Sequence, residues 1–317
     1  MNAPAPILAP GLHRISAEAY HADPAPVPSL SSSLARLILN RSPLHAWTAH
    51  PRLNPEWEPT EKKTFDIGRA AHRAVLGAGG DYVAYPAEVL ASNGAASTKE
   101  AKAWAEEQRA AGRTPLKAEE VDQVGAMAMH CHHQLLDYGI KIEPARSELT
   151  VIAEIDGAWC RAMIDNAPAD PRLPLIDFKT CEDASPDAVQ RAVENYGYDV
   201  QAAHYLDVWK AATGEDRDFL FIFQEKEPPH AIAVVRLLNS AGHSGDWMED
   251  AREKVHTARQ TWAHCLQTDH WPSYPAVVIE IGARSFHRQK WQDTRSRAAS
   301  ARAIANAQKF QAPENFA

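Results

Sequence analysis

The chain of 317 residues predicts one α/β domain, a mixed central β-sheet flanked by helices, with extra helices at its N- and C-terminal ends. Three observations lead there. Helical periodicity dominates up to about residue 139, then gives way to short runs rich in β-formers at 147–180 and 218–238. A helical stretch separates those two groups of strands, and further helical pattern follows the second. There is no internal repeat, no low-complexity block and no clear linker.

Residues 1–28 are rich in Pro and Ala and read as an irregular N-terminal arm. At 29–47 a serine stands at an N-cap position ahead of Leu34, Leu37 and Ile38 at helical spacing, and the pattern stops near Ser42-Pro43. Residues 61–76 predict a helix with Phe65, Ala71, Val75 and Leu76 inward, and 98–139 predicts two helices parted near Gly112–Pro115. Three strands follow at 147–155 (SELTVIAEI), 158–166 (AWCRAMIDN) and 174–180 (PLIDFKT), separated by Asp156-Gly157 and by the Pro168 to Pro174 segment. Helical spacing returns at 186–213, with Val189, Val193, Ala202, Tyr205, Leu206 and Trp209 as buried positions. Strands at 218–226 and 230–238 are joined by a Pro-Pro turn, and a helix at about 244–267 precedes a basic, Ala-rich terminal helix. The expected organisation is an arm over 1–28, a single domain over 29–280 and a basic helical extension over 281–317.

Composition is that of a globular protein, 45% hydrophobic and 23% charged, with no apolar run long enough to span a bilayer. MNAPAPILAP lacks a basic region followed by an apolar core, so no secretory signal is expected. Cys131, Cys160, Cys181 and Cys265 are scattered without a CxxC pair, which argues against a zinc ribbon or a disulfide framework and fits a reducing cytoplasm. A net charge of −8 does not suit a phosphate-binding protein, yet Arg284, Arg288, Lys290, Arg295, Arg297, Arg302 and Lys309 crowd the C-terminal end. Charge alone therefore neither supports nor excludes a nucleic-acid substrate.

The stretch LIDFKT (175–180) places Asp177 and Lys179 two residues apart, on one face of a strand. Asp165 closes the preceding strand, and if the two strands pair, the carboxylates can converge. Two carboxylates and a lysine suit Mg²⁺, which prefers oxygen ligands, and phosphodiester hydrolysis is the reaction that such a set serves. Alone, Asp and Lys at a strand end form a solvated pair of small energetic worth. His72, Gln201 and Tyr205, each taken singly, read as ordinary surface or core residues.

Taken together, these residues resemble the PD-(D/E)XK nuclease superfamily, and within it the RecE-type, exodeoxyribonuclease VIII-like phage recombination exonucleases. GRAAHRAVLG (68–77) is similar to the family's G-x-A-x-H helix, whose histidine, here His72, is a metal ligand. CRAMIDNAP (160–168) supplies the first acid, Asp165, and LIDFKT the second, Asp177, with the lysine, Lys179. DVQAAHYLDVW (199–209) is similar to the Q-x-x-x-Y helix, with Gln201 and Tyr205 one turn apart. Weaker likenesses at 29–47 and 221–229 extend the match over roughly residues 15–240. Ile164 stands where the family often has Pro, and Met163 where relatives are often basic; neither touches the acids.

The resemblance implies a Mg²⁺-dependent exonuclease, with Mn²⁺ as a substitute, acting on double-stranded DNA ends 5′→3′. It implies His72, Asp165, Asp177 and the Phe178 backbone carbonyl as metal ligands, and Lys179 as the residue that activates water. Gln201 and Tyr205 would position Lys179 or the phosphate. Glu148, opening the first strand, is a further acid near such sites, and Ser29, Ser31, Ser33 and Arg161 are candidates for DNA contact. A single-strand annealing protein is the implied partner and a ring-shaped homo-oligomer the implied assembly. Neither an iron–sulfur cluster nor a bound nucleotide is expected, since the cysteine pattern and a Walker A sequence are missing. An endonuclease or nickase on the same fold, or a catalytically inactive DNA-binding accessory protein, are the alternatives. MHCHHQ (129–134) suggests zinc, but consecutive helical residues point about 100° apart and cannot share one ion.

Overall fold

The β-rich runs at 147–180 and 218–238 all become strands of one six-stranded sheet in the computed structural model, which describes residues 8–58, 66–240 and 245–310. The strands are β1 (Gly11–His13), β4 (Ser147–Ile155), β5 (Ala158–Asn166), β6 (Leu175–Cys181), β7 (Phe219–Glu225) and β8 (Ile232–Val235), in the order β1-β4-β5-β6-β7-β8. A separate two-stranded sheet joins β2 (Tyr82–Ala84) to β3 (Thr114–Leu116). The helices are α1 (Ala17–His21), α2 (Ser32–Asn40), α3 (Pro43–Thr48), α4 (Asp66–Leu76), α5 (Lys99–Ala110), α6 (Ala118–Asp137), α7 (Pro186–Tyr196), α8 (Tyr198–Thr213), α9 (Trp247–Thr268) and α10 (Ser285–Phe310). The expected inward position Phe65 lies outside the described residues. Met1–Tyr274 forms one unit and Pro275–Ala317 another. Among the described residues no helix is long and apolar enough to cross a membrane.

The sheet is mixed because α7 and α8 intervene between β6 and β7, which run parallel from Leu175–Phe219 to Cys181–Glu225; the other neighbours are antiparallel. Side-chain alternation then gives each face its own core. Leu149, Val151, Ala162, Ile164, Phe221 and Phe223 share one cluster with Leu34 of α2, Trp209 of α8 and Trp262 of α9. On the other face Ile176, Phe178 and Ile222 pack with Val75 and Leu76 of α4 and with Met127 and Leu135 of α6.

Three expectations change. The helical stretch 186–213 is two helices, because Gly197 takes the left-handed conformation (φ +62°) between α7 and α8. A Cβ there would also lie 2.9 Å from Arg36 Cδ. The break near Gly112–Pro115 holds β3, whose three residues are too few to show a period. The N-terminal stretch is not irregular over its described part. Gly11–His13 pairs with Ile152–Thr150 as an edge strand, and α1 is capped by Ser16, whose Oγ accepts from the Ala19 N–H at 3.1 Å.

A buried carboxylate fastens that segment to the sheet. Asp23, 2% exposed, accepts from Ser29 Oγ at 2.5 Å and from the Ser29 N–H at 2.9 Å. Its carboxylate stands 3.0 Å from His50 Nε2 and 3.2 Å from Arg161 Nη1 of β5. Burial alone would raise its pKa, but His50, Arg161 and Ser29 together hold it at about 2. The stability that this ionised group contributes is therefore full above about pH 4 and fades as pH falls through about 2. Asp23→Ala leaves the Arg161 charge buried without its partner and should cost about 3 kcal/mol or more. In urea unfolding between pH 5 and pH 2, the native chain should lose about 2 kcal/mol more than Asp23→Asn does. Equal losses would show that Asp23 carries no such linkage.

Candidate active site

β5 and β6 pair at one position only, Asn166 with Ile176, whereas β6 and β7 pair along their whole length. Past that pair the backbone N–H of Phe178 is taken by a side chain: Asp165 Oδ2 accepts it at 2.7 Å. The fork between the strands is thus satisfied by a carboxylate rather than by a ladder. On the other side, the register that pairs Ser147 with Asn166 and Leu149 with Ile164 sets Glu148 opposite Asp165. Glu148 itself has φ +50°. Two carboxylates facing across an antiparallel pair repel one another and call for a cation between them.

His72 fills that place. Its Nδ1 lies 3.4 Å from Glu148 Oε1 and its Nε2 lies 3.2 Å from Asp165 Oδ2. Burial alone would lower its pKa, but the two acids outweigh burial and push it up to about 10; a metal taking Nε2 as a ligand would have to displace that proton. Asp165 is held below the usual carboxylate range because His72 and Lys179 outweigh the cost of its burial. The helix that carries His72 can approach because residue 68 is glycine: a Cβ there would lie 3.0 Å from Thr180 Oγ1 of β6. Ala71, fully buried, continues that close face, and the Ser147 hydroxyl donates to the last turn of α4 at Leu76 O, 2.8 Å away.

Asp177, 1% exposed, lies on the opposite face of β6, towards α8. Gln201 Nε2 donates to its Oδ1 at 2.5 Å, and Lys179 forms an ion pair with its Oδ2. That oxygen is buried, with the Lys179 ammonium as its partner. Burial and the nearby Asp165 charge push the Asp177 carboxyl up to about 6, although Lys179 acts against the rise. Lys179 is held charged by Asp177 and Asp165 in spite of its burial, and its Nζ lies 5.1 Å from the centroid of the Tyr198 ring. Tyr205 is 8% exposed, one turn beyond Gln201, and burial raises its pKa well above the usual phenol value.

His72, Glu148, Asp165, Asp177, Phe178, Lys179, Gln201 and Tyr205 all line one cleft of about 620 Å³. The residues proposed for DNA contact fare differently. Ser29 and Arg161 are buried and engaged with Asp23, and Ser31 is the buried N-cap of α2, so none of the three faces a substrate. Ser33 is exposed but accepts from Arg36 Nη2 at 3.3 Å. The cleft instead shows Tyr20 and His21 of α1 and a basic rim of Arg69, Arg109 and Arg113. Arg69 lay inside the GRAAHRAVLG motif; α1 had no such signal, because its stretch read as irregular. The MHCHHQ side chains diverge: Cys131 is buried in the α4–α6 core, and His132 bonds to Val75 O at 2.8 Å.

Among the described residues no three His, Cys, Asp or Glu side chains already stand as a ligand set. The donor chemistry nevertheless fits a hard divalent cation: carboxylates predominate, and a histidine and a lysine supply the charge balance among the acids.

A family described as a PDDEXK-like domain of unknown function (DUF3799) matches residues 31–278. Among solved structures, an Eubacterium rectale protein named as an exonuclease is 12% identical, with a TM-score of 0.53 over 86% of this chain and 97% of its own. A phage-related exonuclease from Haemophilus somnus 129PT is 13% identical over 63% of this chain and 95% of its own, with a TM-score of 0.29. The first likeness shows the fold, and the second is too low to carry an argument. No curated protein sequence matches the chain.

The contact at Gly68 is open to direct test. Gly68→Val should destabilise the chain by about 1–3 kcal/mol through overpacking against Thr180, and Thr180→Ala should restore part of that loss. Thermal unfolding of the single and double variants measures the coupling, and strictly additive losses would contradict it.

Proposed function

The chain belongs to the PDDEXK-like family that matches residues 31–278, and on that premise we propose that it is a metal-dependent DNA exonuclease of the RecE type. The observation that carries this reading is the meeting of His72, Glu148 and Asp165 at the strand fork, in one cleft with the Asp177–Lys179 pair.

Mg²⁺, or Mn²⁺ in its place, held by His72, Asp165, Asp177 and the Phe178 carbonyl, would acidify a bound water and neutralise charge on the phosphate. The chain's own groups do the rest. Gln201 fixes the Asp177 carboxylate in one orientation. Lys179, an ammonium with three donors and no acceptor, orients the attacking water and stabilises the charge that develops on the phosphate oxygens. Glu148 holds the His72 ring in place through Nδ1. Tyr205 closes the α8 side of the cleft, and Arg69 and Arg109, which share the Asp66 carboxylate, together with Arg113 leave its rim net positive towards a polyanion.

The substrate is a duplex DNA end, degraded 5′→3′ to leave a 3′ single strand; a single-strand annealing protein takes up the product, and a homo-oligomeric ring keeps the enzyme on its substrate. These features follow the RecE resemblance and are part of the proposal.

Digestion of linear duplex with Mg²⁺ tests the reading. Asp177→Ala and Lys179→Ala should each slow it by at least about a hundredfold, and closed circular DNA should stay intact. A 5′ label should be released before a 3′ label. Variants as fast as the native chain would overturn the site. Cutting of closed circles would make the protein an endonuclease, and a native chain without turnover would make it an accessory protein.

A further inference from the structure

The helix α10 carries Arg288, Lys290, Arg295, Arg297, Arg302 and Lys309 against the single acid Asp293, in a chain whose net charge is −8. It lies beyond the family match, which ends at residue 278, so its charge is an addition to the domain that bears the cleft.

The basic residues are ordered by face. Arg288, Arg295 and Arg302 stand seven residues apart, a spacing that drifts only about 20° per step around a helix. The three cover about 21 Å at 1.5 Å per residue. Trp291, 62% exposed, lies three residues after Arg288 and four before Arg295, on the same stripe. Asp293 points the other way, with Lys290 and Arg297. Among the described residues, Arg288, Arg295 and Arg302 are exposed and form no ion pair. An acid-free stripe of exposed guanidinium groups presents a local positive field to a polyanion.

We propose that the Arg288–Arg295–Arg302 face of α10 is a sequence-independent grip for the phosphate backbone of duplex DNA. Guanidinium groups bind phosphate oxygens through two parallel N–H donors, and the indole among them can pack on sugar or base. A membrane surface fits less well, because the opposite face mixes Phe286 and Ile304 with Lys290, Asp293 and Arg297 and offers no continuous apolar side. The choice of duplex rests on the nuclease reading, but the grip can be measured without turnover.

The experiment uses the full chain and a blunt, fluorescently labelled duplex in EDTA, with equilibrium binding read by anisotropy. Arg288→Glu/Arg295→Glu and Lys290→Glu/Arg297→Glu change the net charge equally and differ only in face. At about 50 mM salt the first pair should weaken binding at least tenfold and reduce the slope of log Kd against log salt by about 2, at roughly 0.9 per phosphate contact. The second pair should weaken binding no more than about threefold. With Mg²⁺ and saturating duplex the stripe variant should turn over like the native chain, so that KM rises and kcat does not. Circular dichroism of both variants checks that α10 remains helical. Equal weakening by the two pairs, or weakening by neither, would overturn the grip. So would a stripe variant that binds DNA normally but loses binding to phosphatidylserine vesicles. A native chain that binds through the stripe yet cuts no DNA would sink the nuclease reading and leave the grip standing.

Discussion

The hydrogen bond from the Phe178 N–H to Asp165 is the contact on which the cleft depends. A sheet that forks must leave backbone groups without ladder partners, and buried N–H groups without acceptors are costly. Here the fork is closed by the first acid of the site. One carboxylate therefore both terminates the β5–β6 pairing and faces the cleft. Having been placed there by backbone need, Asp165 sits across from Glu148, and the repulsion between them makes a cation between the strands necessary. His72 supplies it, which in turn requires α4 to lie close enough for its ring to reach both acids, and Gly68 permits that approach.

The chain uses buried charge in two different ways. At Asp23 the acid is closed in by Ser29, His50 and Arg161, with its oxygens engaged, and the result is a fastening between the N-terminal segment and β5. At the fork three acids, Glu148, Asp165 and Asp177, share two cationic side chains, His72 and Lys179; burial pushes the Asp177 carboxyl up while His72 and Lys179 hold Asp165 low. Neighbouring carboxyls pushed in opposite directions are a pattern found at functional sites, and structural ion-pair networks also produce it.

The sequence placed the five longer strands because runs of β-formers are bounded there by turn residues; it could not place β1, β2 or β3, which are only three residues each. It joined α7 to α8 because apolar spacing runs through Gly197, and only the left-handed backbone reveals the break. Six side chains of the cleft were legible by likeness to family motifs: His72, Asp165, Asp177, Lys179, Gln201 and Tyr205. What each touches was not. Gln201 was expected to position Lys179 or the phosphate, and it bonds to Asp177, the carboxylate that pairs with Lys179. Ser29 and Arg161 looked like polar groups free for DNA because their partner, Asp23, lay in a stretch without a secondary-structure signal. Long-range pairing of buried polar groups leaves no local trace in a sequence.

The central claim is that Asp165, set by the fork, organises a divalent-cation site with His72 and Asp177. Electron paramagnetic resonance of Mn²⁺ tests it most directly, because free Mn²⁺ loses its signal on binding whether or not any DNA is cut. Asp165→Asn keeps the side chain's shape and an acceptor for the Phe178 N–H while removing the charge. The native chain should bind Mn²⁺ in competition with Mg²⁺, and Asp165→Asn, with thermal stability near native, should bind it at least tenfold more weakly. An Asp165→Asn chain that takes up Mn²⁺ as tightly as the native one would contradict the account.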